Sequence, residues 1–76
     1  MEKHDLHHEF PEFDAKIATL KVADAHFKRL SEAYDEANHA VYRIESGAEH
    51  ASDETLNELR KQRLLLKDEL FAILSR

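Results

Sequence analysis

The sequence predicts an all-α protein: a long antiparallel two-helix hairpin of coiled-coil type, with a short N-terminal turn before Pro11. Three observations predict it. Apolar residues return every seventh position as Phe13, Leu20, Phe27, Tyr34 and Val41, and a second row of Ala23, Leu30, Ala37 and Ile44 follows three residues behind. Rows three and four residues apart stack on one face of a helix, so the pattern describes a narrow seam that needs a partner. Only the stretch over 56–74 can supply one, through Leu56, Leu59, Leu66, Leu70 and Ile73. Finally, one Gly and one Pro in 76 residues, with 36% charged side chains, suit long helices and give too little turn punctuation for a sheet.

The elements follow in order. Asp5 is placed to cap a brief turn through Leu6 and Glu9, which Pro11 ends. A residue before proline is pushed away from the helical region, and proline itself fits the first position of the next helix. The first long helix is therefore expected over about 11–46. Glu12 and Asp14 complement its dipole, and Glu12 with Lys16 and Asp24 with Lys28 form pairs four residues apart. Gly47 supplies the left-handed residue of a helix end, so a connection is expected over 47–52. Ser52 caps a second helix over 53–74, with Asp53 and Glu54 in its first turn. All of residues 1–76 form one domain.

This arrangement leaves apolar surface uncovered. Two straight helices paired from the turn bring the C-terminus level with about residue 22, so Phe13, Ile17 and Leu20 project beyond the second helix. The second helix also carries Leu64, Phe71 and Leu74 beside its seam, a stripe wider than the roughly 100° that one neighbour covers. Each large apolar group left in water forfeits about 1.5–3 kcal/mol of burial energy. Self-association, with a dimer favoured, or docking onto another protein's helix is therefore the expected function. Phe13, Ile17, Leu20, Leu64, Leu65, Phe71 and Leu74 are the anchors. Asp24, Phe27, Leu30, Tyr34, Leu66 and Leu70 are structural, as is Arg63, a polar seam residue expected to set register and to reach water or Asp35.

Composition narrows the alternatives. Residues 1–50 hold 11 acids against 6 Lys or Arg, whereas residues 51–76 hold 5 of each. An acidic first helix disfavours nonspecific binding to phosphate backbones, which rests on Lys and Arg. The cluster Arg60, Lys61, Arg63 and Lys67 keeps a nucleic-acid-binding accessory role as the competing function. The absence of cysteine excludes disulfides and thiolate metal sites. No stretch approaches the roughly 18 apolar residues of a membrane span, nor is there the apolar core of a signal peptide, so a cytoplasmic location is expected.

No residue set calls for an enzyme, a small-molecule substrate or a cofactor. Asp68 and Glu69 are adjacent, point about 100° apart along a helix, and cannot share a proton. His26 beside Asp24 lacks the pocket that a general base needs. His4, His7 and His8 are spaced so that one turn could present them to a metal, with Asp5 or Glu9 completing the shell. Their terminal position makes solvated surface histidines the expected outcome.

HDLHHEFPEF at 4–13, DAHFKRL at 24–30, RIE at 43–45 and RLLLKDEL at 63–70 resemble the YdcH family, small bacterial proteins grouped as a domain of unknown function. The resemblance covers nearly the whole chain. It implies a helical hairpin in a bacterial cytoplasm and no particular chemistry. The nucleotide-binding label sometimes given to members is not supported by these residues, because there is no Gly-rich phosphate loop.

Overall fold

The computed structural model describes residues 5–76. Among these there is no strand, and the helices are α1 (Leu6–Glu9), α2 (Asp14–Ala23), α3 (Ala25–Glu45) and α4 (Asp53–Leu74). Helices make up all the regular structure of the described residues, but the expected first helix is not continuous.

In α1, Asp5 Oδ1 accepts from the His8 amide at 2.9 Å and caps the turn. Phe10 leaves the helix at φ −131°, and Pro11 opens a 3₁₀ turn, Pro11–Phe13, that leads into α2. That helix stops at Asp24, which is extended at φ −127° and ψ 106°. The backbone carries the stop on both sides: Asp24 N–H donates to Leu20 O at 2.9 Å, and Asp24 O accepts from Lys28 N–H at 3.0 Å. Its carboxylate accepts from the amides of His26 and Phe27 at 3.0 and 3.1 Å. Aspartate offers the backbone an alternative to helical bonding, and here it caps α3 instead of pairing with Lys28 inside a longer helix.

The hairpin itself is formed by α3 and α4. Arg60 meets Glu45 at 2.6 Å and Arg63 reaches Asn38 at 3.4 Å, which sets the two helices antiparallel. Gly47, at φ +83°, makes the left-handed turn at the end of α3. Its amide donates to Ile44 O, and Ser52 Oγ caps α4 by accepting from Thr55 N–H at 3.1 Å.

The segment α1–α2 folds back at Asp24 as a strap over the end of the hairpin remote from the turn. There it completes one core with Leu6, Phe10 and Ile17 of the strap against Phe27, Tyr34, Leu70, Ile73 and Leu74. Phe13, Leu20, Leu30 and Leu66 pack around it. The overhang expected from two straight helices is thus absent: Ile17 is 0% exposed and Leu74 1%. The bend also shortens the molecule, which spans 37 × 21 × 17 Å rather than the roughly 50 Å of an unbroken 35-residue helix. No helix among the described residues is long and apolar enough to cross a membrane.

Candidate functional site

Two kinds of surface are built on this frame, and the first holds the strap in place. Lys16 of α2 donates to the carbonyl oxygens of Leu74 and Arg76 at 2.8 and 3.0 Å. A cation at the C-terminal end of α4 meets the partial negative charge of its unpaired carbonyls. Glu9 forms an ion pair with Lys67 at 2.9 Å, and the Lys67 ammonium lies 6.0 Å from the centre of the Phe10 ring. His7 Nδ1 contacts the Asp14 carboxylate, joining α1 to α2.

Beneath this layer lies Tyr34, whose ring is enclosed by the core. Burial pushes its phenol above the ordinary value, and the Glu9 charge adds to that, while the hydrogen bond with Asn38 and the nearby Arg63 oppose it. The Asp35 carboxyl is raised by burial against the opposing charge of Lys21. Asp5 moves the other way, held down chiefly by its hydrogen bond from the His8 ring at 2.7 Å.

The second surface is the outer flank of α4 beside the strap. Phe71 stacks on Phe10 at 5.5 Å between ring centres and meets Phe13 edge-on at 6.2 Å. Phe10 is buried and Phe13 half-buried, whereas Phe71 remains 46% exposed. Leu64 stands two turns earlier in the same row and is 57% exposed. These three side chains form an apolar flank open to solvent. Leu65, also exposed, lies about 100° further round α4 and belongs to a different surface, a shallow groove with Leu59, Gln62 and Lys61. A second open groove runs between Ala33, Ala37 and Ala40 of α3 and Leu59 and Gln62 of α4.

The expected anchors therefore divide. Leu64, Leu65 and Phe71 are exposed, Phe13 and Leu20 are half-buried around the core, and Ile17 and Leu74 are interior. Ile17 is enclosed because the strap turns back on the hairpin; Leu74 is enclosed because the strap lies over the end of α4. Of the structural set, Phe27, Tyr34 and Leu70 are buried, and Leu30 and Leu66 are half-buried. Asp24 caps α3. Arg63 donates to Asn38 and not to Asp35, which faces Lys21 and the strap. Lys16, expected to pair with Glu12, holds the end of α4 instead; Glu9, expected at most in a metal shell, pairs with Lys67; and Phe10, expected only to be extended, enters the core. The signal for Phe10 was the FPEF spacing, which repeats an aromatic three residues apart around a turn.

The basic cluster is heavily partnered. Arg60 lies on Glu45, Lys67 on Glu9, and Lys61 3.7 Å from Glu58, while Arg63 is spent on Asn38. Of the histidines, His4 lies outside the described residues. His7 and His8 each face a single carboxylate, Asp14 and Asp5, and among the described residues no three His, Cys, Asp or Glu side chains gather as metal ligands.

Fold and surface together define a small helical-hairpin protein with one strapped end and an open apolar flank. The family model described as a protein of unknown function (DUF465) matches residues 27–74, from the first turn of α3 to the last residue of α4, and the chain belongs to that family, which includes the YdcH-family proteins. The matched part is the hairpin, with the strap lying before it. No curated protein and no solved structure matches the chain.

Proposed function

We propose that the protein is a non-catalytic interaction module of the cytoplasm, a helical hairpin whose α4 flank takes up an apolar helix, first of all that of a second copy of itself. The observation that supports this reading is the flank of Leu64, Phe71 and Phe13, where large apolar side chains stand open beside a completed core. Leu64 and Phe71 stand seven positions apart on one face of α4, two turns that an apolar helix can span, with Phe13 beside Phe71.

The magnitude is modest. Covering the exposed halves of Leu64 and Phe71 and the remainder of Phe13 gives about 2–4 kcal/mol per copy, at roughly 1.5–3 kcal/mol for each fully buried side chain. Two copies burying each other double that, and the entropy of association takes much of it back. Association through this flank is then weak, in roughly the micromolar to millimolar range.

Sedimentation equilibrium up to about 1 mM tests the reading. The wild type should gain mass with concentration, Leu64→Lys should remove most of that gain, and Leu65→Lys, off the flank, should retain it. Raising salt from about 50 mM to 0.5 M should leave the apolar contact nearly unchanged. A folded monomer at every concentration would reject the proposal, and a steep loss with salt would point to a charge-driven contact.

A further inference from the structure

We infer that the strap α1–α2 exchanges between two copies of the chain about Asp24, giving a reciprocal dimer in which α2 and α3 run as one helix. This goes beyond the docking flank and does not depend on it. Apolar pattern and backbone disagree at Asp24. The row Phe13, Leu20, Phe27, Tyr34 and Val41 keeps its seven-residue phase straight through Asp24, where the backbone breaks. A helix that always ends at Ala23 has no need to hold phase with the helix that starts at Ala25. A helix that is sometimes continuous does.

The hinge is minimal. Asp24 is the single residue between α2 and α3, and its extended conformation lies in a region open to any residue. Ala23 and Ala25 on either side are exposed and are the best of helix formers. Turning Asp24 alone to helical values joins Asp14 to Glu45 in one helix of roughly 48 Å.

Within one chain that change is unfavourable. It lifts Leu6, Phe10 and Ile17 out of the core, uncovers Phe27, Leu70 and Leu74, and breaks the Glu9–Lys67 pair and the Lys16 contacts with the end of α4. A second straightened copy supplies an identical strap, so every one of those contacts is remade between chains. Closed monomer and exchanged dimer then differ only at the hinge and in the entropy of association. Concentration decides between them, and short connections favour exchange.

The test uses the full chain, unfolded and refolded at about 1 mM as a one-to-one mixture of ¹⁵N-labelled and unlabelled protein. Mass is read by light scattering, and the dimer fraction is treated with a carbodiimide that joins ion-paired carboxylate to amine without a spacer. The Glu9–Lys67 cross-link should appear in mixed-isotope form in about half of the molecules of the dimer, as random pairing of two isotopes between chains requires.

Two hinge variants shift the balance between closed monomer and exchanged dimer in opposite directions. Ala25→Pro places proline at the first position of α3, where it is tolerated after an extended residue, yet it breaks any helix running through it. It should fold and lower the association constant by at least about a hundred-fold. Asp24→Ala removes the cap that favours the break and should raise dimer formation about ten-fold. The inference is overturned if wild type and Asp24→Ala stay monomeric after refolding, if the dimer persists unchanged in Ala25→Pro, or if its Glu9–Lys67 cross-links join same-isotope chains only. A dimer lost in Leu64→Lys but kept in Ala25→Pro would uphold the flank and reject the exchange.

Discussion

Ile17→Ala distinguishes a folded-back strap from a straight overhang more sharply than any other single change. In the structure Ile17 is fully enclosed between the strap and the hairpin end, so truncation removes three carbons from the core. At about 0.8 kcal/mol per buried methylene the transfer loss is roughly 2.4 kcal/mol, and the cavity raises the total to about 3–4 kcal/mol. A chain of this size has about 4–11 kcal/mol of stability in all, so a large share disappears. The melting temperature should fall by roughly 12–30 °C at the usual 4–8 °C per kcal/mol. Urea unfolding followed by circular dichroism at 222 nm gives the free energy. Val22→Ala is the control, because Val22 is 91% exposed and its truncation should lie within about 0.5 kcal/mol of wild type. A loss below about 1 kcal/mol for Ile17→Ala would mean that the strap does not cover the core.

Other outcomes follow from the same contacts. Lys16→Met removes the donor to the Leu74 and Arg76 carbonyls while keeping the aliphatic stem, and should lower stability by about 1 kcal/mol in the same unfolding assay. Gly47→Ala has open space for its methyl but must hold φ +83°, so it should cost about 1 kcal/mol by backbone strain alone, read as a lower thermal midpoint with unchanged helicity. The Asp35 carboxyl is raised on folding, which means its charged form weakens the native state at neutral pH and that the weakness is relieved as pH falls through the raised value. Asp35→Asn should therefore be more stable than wild type at pH 7, with the difference vanishing below about pH 4 in a series of denaturant titrations. Asp5 has the opposite sign: its lowered carboxyl contributes above the ordinary carboxylate range and loses that contribution as pH falls further, so the advantage of wild type over Asp5→Asn should shrink on acidification.

The hairpin was legible in the sequence because its signals are local and periodic. Phe27, Tyr34, Ala37 and Val41 fall on the predicted rows and are buried, and Leu70 and Ile73 of α4 share one core with Phe27 and Tyr34. Gly47 and Ser52 stand where the caps form. The break at Asp24 was not legible, since the apolar period continues through it and one aspartate serves equally well on a helix surface or at a cap. Tertiary burial decided between them: Leu6, Phe10 and Ile17 gain more by covering the hairpin end than α2 gains by joining α3. Counting apolar circumference marked more surface than one neighbouring helix covers. It could not say that the chain covers Ile17 itself while leaving Phe71 half open. The flank consequently rests on three side chains, one of them already half-buried, instead of an entire overhang.

Nuclear Overhauser contacts in a dilute, monomeric sample test the bent strap most directly. Ring protons of Phe10 and Phe71 should show cross-peaks, and the chain of sequential amide contacts should lapse at Asp24 before resuming through α3. An unbroken run of amide contacts from residue 14 to 45, with no Phe10–Phe71 cross-peak, would contradict the account.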